Sequence, residues 1–467
     1  MTGTVCAMTD TAAQTAEFPD PAAQASAGPA TAPPEGAVPF EIGHLSDTHL
    51  GRKQYSVNSG SGRNQREADM SVAYKNVVES IVDADPPLII HAGDMYDSSR
   101  PAFRHVMLGA AGLSRLAEDG RIVVMAAGNH DMPADAGEAS PVDLHAADGV
   151  YLASRRYRVI DCSELVAAGK ARPELDKVAV HLLPHDSLKS VAWDEVQPWE
   201  GYTNILVSHC VVGGSELYRR AIGREYSLPI DVVTRGWHYV ALGHYHKQGP
   251  VAVGGYSEAT TPAWYSGSTE NNGFSDVRDN KTGGGRGWLS VRIDPYGTVP
   301  EVTPVDLPIR AMFRLPVIDA KGLDHAAITE KMVATAREAD LDGAVVRQVV
   351  QNLHPDTWGL VDVAAARSAA KAALWYDPKP EFIEATGAYT DIEVDGNPLG
   401  DLGSILEEVL FEQFEADPQY SHIEQLARDL LGDALGTPEV KSCCDDDAVS
   451  HDHPEPGTER EGHSQVA

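Results

Sequence analysis

The chain has 467 residues, with 37 Lys and Arg against 69 Asp and Glu, a formal net charge of −32. Hydrophobic residues make up 42%, ordinary for a soluble globular protein, and no apolar run approaches the roughly 20 residues of a membrane helix, which argues against a helical membrane protein. Five scattered cysteines exclude a disulfide scaffold and fit a reducing cytoplasm, and the acid excess argues against a broad basic nucleic-acid surface.

Residues 1–38 are rich in Ala, Pro, Thr and Gly, lack the apolar stretch of a secretory signal, and read as a disordered extension. From about residue 39 to 307, short apolar runs alternate with amphipathic stretches. Phe40–Leu45, Leu88–Ala92, Ile122–Ala127, Asn204–Ser208 and Tyr239–Leu242 are predicted strands, each followed at once by Gly or polar residues. Glu67–Asp83 and Phe103–Ala117 are predicted helices with one apolar face each. Alternation of strand and helix predicts a layered α/β domain with its ligand sites at the carboxyl ends of the strands.

Residues 308–395 change character to a small α+β unit. Strands are expected over Met312–Val317 and Ala344–Asn352, and helices over Asp324–Ala339 and Val363–Trp375. After a Gly-rich link, Leu402–Phe414 and Ile423–Leu435, within 396–435, form two amphipathic helices too short to bury their own apolar faces. Residues 436–467 read as a disordered acidic tail. Its Cys443-Cys444 pair, with His451 and His453, offers soft donors in a polar, aperiodic context and is read as unpaired.

Five strand ends carry chemistry: Asp47-Thr48-His49, Gly93-Asp94, Gly128-Asn129-His130-Asp131, His209, and Gly243-His244-Tyr245-His246. Any one of these alone is ordinary loop chemistry; five in order, each closing a predicted strand, are a metal site. Residues two apart on an extended segment point the same way, so Asp47 with His49, and His244 with His246, can each chelate or straddle a pair of ions. Imidazole, carboxylate and one amide without thiolate suit Mn²⁺, Fe or Zn²⁺ and argue against a structural zinc cage. Two ions about 3.5–4 Å apart clamp the attacking and leaving oxygens of a phosphoryl transfer.

This ordered set resembles the calcineurin-like metallophosphoesterase superfamily. His49-Leu50-Gly51 with Gln54-Tyr55, Arg66-Glu67, Ser99-Arg100-Pro101 and Tyr265-Ser266-Gly267-Ser268-Thr269-Glu270 further resemble the SbcD-type double-strand-break repair nuclease, the partner of an SMC-like coiled-coil ATPase. The resemblance implies an α/β fold: a layered β-sandwich flanked by helices, with a small capping domain that contacts DNA and C-terminal helices that dock the ATPase. It also implies a homodimer, two divalent ions with Mn²⁺ expected, and cytoplasmic localisation. Carried over by position, Asp47, His49, Asp94 and His246 surround one ion, and Asp94, Asn129, His209 and His244 the other. His130 serves the leaving oxygen and is oriented by Asp131; Tyr55, Asp97 and Arg100 are candidate substrate contacts.

The chain departs from the family at Asp97, where many members have a histidine that handles the DNA end; an acid there is expected to repel phosphate. A Ser/Gly-rich insertion spans Val57–Asn64, and Asn271 follows Glu270 where Arg is frequent. Two other readings fit the same motifs: an enzyme for a small phosphodiester or phosphomonoester, and a non-catalytic metal-stabilised scaffold. The chain contains no P-loop, so an ATP-driven step requires another subunit.

Overall fold

A computed structural model describes residues 35–383, except 136, 214–225, 254, 278–285 and 298. Two six-stranded sheets face each other. The first runs Glu301–Asp306, Gly287–Ile293, Phe40–Leu45, Leu88–His91, Ile122–Ala126, Val150–Ala153, and the second Gly249–Pro250, Ala263–Tyr265, Tyr239–Gly243, Thr203–His209, Val178–Leu183, Arg158–Asp161. Their central strands are parallel. The predicted sandwich flanked by helices is therefore the observed one.

The pleat explains why the central strands read as unbroken apolar runs. Leu88 and Ile90 point into the core between the sheets with Val180, Ile205 and Val207. Ile89, Val123 and Met125 point the other way, onto the helices Gln65–Ala84 and Phe103–Leu116. The first helix begins where Asn64, the last residue of the Ser/Gly-rich insertion, accepts the Glu67 amide. This cap satisfies one of the unpaired amides of the first turn.

Beyond Pro308, Val345–Leu353 is the spine of a smaller sheet. Met312–Arg314 and Ile318–Asp319 pair in turn along one side of it, and Trp375–Phe382 along the other. Two expectations are corrected here. The strand expected over Met312–Val317 ends at Arg314, close to Pro316, which has no amide to donate. The helix expected over Val363–Trp375 stops at Ala369, and Trp375 opens a strand. Pro378 and Pro380 concealed that strand, yet as an edge strand it tolerates them. The helices His325–Glu338 and Val363–Ala369 cover this sheet through Ile328, Met332 and Ala366. Arg310 joins the smaller sheet to the sandwich by a bidentate pair with Asp69, at 2.6 and 2.8 Å. The expected partner helices and acidic tail lie outside the described residues, as does most of the N-terminal extension.

Candidate metal centre

The carboxyl ends of five parallel strands, at Leu45, His91, Ala126, His209 and Gly243, meet at one rim of the sandwich. How the side chains converge there differs from expectation. Asp47 and His49 lie beyond their strand in left-handed backbone (φ 51° and 41°), as do Asp94 (53°) and His244 (100°). The Asp47 amide donates to the Gly93 carbonyl (2.9 Å) and the His49 amide to that of Asp94 (3.1 Å). These bonds hold two tight turns side by side, so the acids and imidazoles are aimed by turn geometry rather than by the alternation of a strand. Positive φ in a non-glycine residue costs about 1–3 kcal/mol and clusters at functional sites.

Two glycines make room for the cluster. A Cβ at Gly128 would lie 2.2 Å from Asp94 Oδ1, and one at Gly243 would lie 2.0 Å from the Ala92 carbonyl. Neither position has space for a side chain while Asp94 and His209 stay in place.

The seven sequence-derived ligand candidates come together. Ligand atoms of Asp47, His49 and His246 form one group and those of Asp47, Asp94 and His209 another, each within 4.8 Å. Asp94 Oδ2 stands between them, 3.7 Å from His49 Nε2 and 3.2 Å from His209 Nε2. Asn129 Oδ1 lies 3.3 Å from His244 Nδ1, and the His244 ring is 5.3 Å from that of His209. His244 and His246 thus face opposite ends of the cluster, which suits a pair of ions straddled rather than one ion chelated.

The donor chemistry fits divalent cations. His209 Nδ1 donates to the Ala92 carbonyl at 2.7 Å, which leaves Nε2 buried and directed at Asp94 Oδ2, 3.2 Å away. His49 Nε2 and His246 Nε2 face one another at 3.1 Å. Two such nitrogens need a proton or a cation between them. His246 Nδ1 is held by Asp276 at 3.0 Å, the carboxylate–imidazole arrangement that orients metal-binding histidines.

Charge follows the same geometry. Burial resists ionisation of both Asp94 and His209, but their proximity overrides it. Asp94 is held well below the usual carboxylate range, and His209 is raised to about 9 by Asp94 and Asp47. In the metal-free protein this histidine contributes stability that is whole below about pH 6.5 and is lost as pH rises through about 9. A cation must displace its proton, so apparent Mn²⁺ affinity is expected to rise with pH and level off near 9. Calorimetric titrations in buffers of different ionisation enthalpy check this; affinity independent of pH would contradict it.

The remaining site candidates separate. His130 donates its amide to Asp94 Oδ1 (2.9 Å) and its Nδ1 to the Asp97 carbonyl (2.9 Å), with its ring 4.9 Å from that of His49. Asp131, expected to orient that ring, instead accepts the amides of Met95, Tyr96 and Gly128 at 3.0–3.3 Å. Burial, then the charge of Asp94, raises its carboxyl to about 6. It is a buried brace between two site loops.

Asp97 is not a bare acid facing phosphate. Its carboxylate lies 2.9 Å from Arg52 and 3.5 Å from His49 Nδ1, so its charge is matched and turned toward a candidate ligand. Arg100 is 78% exposed and pairs with Glu138 at 2.6 Å. Tyr55 is stacked on Trp375 of the smaller sheet, with centroids 5.2 Å apart. A cavity of about 360 Å³ opens beside the cluster, lined by Lys53, Asp97, Arg100, Arg104 and His105 among others. Its arginines are paired with acids, Arg104 with Glu67 at 2.7 Å and Arg100 with Glu138.

Two contributors escaped the sequence reading. Asp276 follows His246 by 30 residues with no motif around it beyond a turn-forming Asn-Gly. Arg286, 1% exposed, donates to the His246 and Asp276 carbonyls and, at 2.9 Å, to the Asn271 side chain. Asn271, where the family frequently has Arg, is thus the acceptor for a buried guanidinium.

Strand ends of a layered α/β sandwich that gather two acids, four histidines and an asparagine around one pit define a metallophosphoesterase. Residues 40–248 match the calcineurin-like phosphoesterase family, so the chain carries a metallophosphoesterase domain and is a hydrolase, and it is similar to proteins of the SbcD/Mre11 type. The DNA double-strand break repair protein Mre11 of Methanocaldococcus jannaschii is 26% identical over 287 residues, covering 61% of this chain and 71% of that protein. Mre11 of Methanococcus maripaludis is 23% identical, covering 52% of this chain and 60% of the relative. The SbcD component of the Bacillus subtilis nuclease SbcCD is 28% identical, covering 51% of this chain and 63% of the relative. The chain thus spans between about a third and 71% of the length of these and other Mre11 relatives.

Proposed function

We propose that this protein is a DNA nuclease of double-strand-break repair that hydrolyses phosphodiester bonds with two divalent ions, Mn²⁺ foremost. The observation that carries this reading is the buried His209 Nε2, 3.2 Å from Asp94 Oδ2, among groups of metal-type donors. Asp47, His49, Asp94 and His246 would hold one ion, and Asp94, Asn129, His209 and His244 the other. Bound there, the ions supply positive charge that clamps the attacking and leaving oxygens of an in-line displacement.

The chain's own groups do the rest. His130, fixed through Nδ1 on the Asp97 carbonyl, keeps its other ring nitrogen to pass a proton to the leaving oxygen. Arg52 neutralises Asp97 beside the site, and Lys53, Arg100 and Arg104 on the adjoining rim would exchange their acidic partners for backbone phosphates. Hydrolysis of linear duplex DNA compared with bis-p-nitrophenyl phosphate, in Mn²⁺, tests the assignment. Cleavage of the small ester alone defeats the nuclease, and cleavage of neither in Mn²⁺, Co²⁺ or Fe²⁺ favours the scaffold.

The partner is an SMC-like coiled-coil ATPase bound by residues 396–435. Truncation after Asp401 is expected to spare basal nuclease activity and abolish co-purification with that partner; retained co-purification would move the contact elsewhere. A homodimer in the cytoplasm completes the reading. The helices Gln65–Ala84 and Phe103–Leu116 expose Val72 (55%), Phe103 (76%) and Met107 (55%), an apolar surface suited to self-association. Light scattering at micromolar concentration should report twice the chain mass, and a monomer in both low and high salt removes the dimer. No helix among the described residues is long and apolar enough to cross a membrane.

A further inference from the structure

We propose that the small sheet beyond Pro308 sets the strength of one of the two metal positions, through Phe274 and Asp276. The inference rests on the two-metal reading above and concerns positioning residues that touch neither substrate nor the reacting atoms.

Residues 272–277 form a tight turn between the sandwich and the small sheet. Its near end is tied to the metal cluster. Asp276 Oδ2 receives the His246 Nδ1 proton at 3.0 Å and the Asn272 amide at 2.8 Å, and the Asp276 amide closes the turn on the Gly273 carbonyl at 3.1 Å. Since a carboxylate only accepts, Asp276 fixes the proton of His246 on Nδ1 and leaves Nε2 as the nitrogen that faces His49 and Asp47. Such outer partners orient a ligating imidazole and raise its basicity.

The far end of the turn is tied to the small sheet. Phe274 is 4% exposed and packs with Met312 and Val345, the first residues of two of that sheet's strands. The Arg347 guanidinium lies over its ring, 4.2 Å from the centroid, and Arg314 donates to its carbonyl. Tyr55 and Trp375 stack beside the same cluster. A single aromatic side chain, two residues from Asp276, is therefore gripped by a different structural layer from the one that supplies the ligands. At the opposite end of the pit the described contacts come from the sandwich itself: His209 is held by the Ala92 carbonyl and His244 lies against Asn129. Loosening the small sheet should weaken one ion and spare the other, so whatever moves that sheet adjusts metal occupancy on one side only.

Titration of the full chain with Mn²⁺, followed by the electron paramagnetic resonance signal of unbound ion, should give two binding steps. Phe274→Ala and Asp276→Ala are each expected to weaken one step by about 10–100-fold and leave the other within about twofold. In turnover, both variants should recover nearly full kcat at saturating Mn²⁺, with only the half-saturating concentration raised. Arg347→Met, which removes the cation over the Phe274 ring, should shift the same step in the same direction by a smaller factor, and decides the matter if Phe274→Ala does not fold. Unchanged Mn²⁺ binding in the folded Phe274→Ala variant, or in Arg347→Met when the former does not fold, overturns the proposal. Equal weakening of both steps also overturns it, because a general loss of structure would do that. A wild-type chain that binds no Mn²⁺ is a different result: it defeats the metal reading itself.

Discussion

Asp94→Ala is expected to remove Mn²⁺ and activity together while leaving the protein folded. Asp94 Oδ2 lies 3.7 Å from His49 Nε2 and 3.2 Å from His209 Nε2, so on the two-metal proposal its loss would open both ion positions at once. Charge stabilisation by the ions is worth several kcal/mol in the transition state, so turnover should fall by about a thousandfold or more. The metal-free fold should tolerate the change better than the loss of a buried ion-pair partner suggests. His209 loses its companion, but Asp131, whose carboxyl Asp94 pushes up, is relieved of a like charge. Manganese content after desalting and a thermal melt measure the two effects. A variant that keeps two ions would show that Asp94 is not the bridge.

His130→Leu should give the opposite separation, with turnover lost and metal kept. General acid catalysis is worth about 10²–10⁴-fold, and that is the expected fall in kcat. The imidazole's structural duty is confined to one hydrogen bond, to the Asp97 carbonyl. Its Nδ1 bonds one backbone carbonyl, whereas the bond to Asp94 comes from the backbone amide, which leucine retains. Manganese stoichiometry is the deciding measurement, because His130 also lies within ligand distance of His49 and Asp94. Loss of an ion along with activity would make it a ligand instead.

Legibility in the sequence followed the range of the interactions. Strands buried on both faces are apolar throughout, and helices with one buried face are periodic. The five strands that carry the candidate ligands and the helices Gln65–Ala84 and Phe103–Leu116 were therefore readable to within about two residues at each end, whereas the interior strands Val178–Leu183 and Gly287–Ile293 were not among the predicted ones. The edge strand Trp375–Phe382 was not, because an edge needs neither a continuous apolar run nor every amide. Asp97 shows the same limit at the site. Read alone it is an acid that repels phosphate; in the fold it is matched by Arg52 and turned toward His49.

By itself the sequence named seven candidate ligands of the centre and their order along the chain. Acids, imidazoles and an amide at the ends of apolar runs are local facts, and parallel strands bring their carboxyl ends to one rim. Only the tertiary structure decided how those side chains are aimed and held. The left-handed turns at Asp47, His49 and Asp94 are kept by bonds between loops. Arg66 reaches the Asn271 carbonyl across 205 positions, and Phe274 ties His246 to a separate sheet. Such contacts are made between residues with no shared periodicity, so no local pattern encodes them; they exist once the chain has folded and its layers have met.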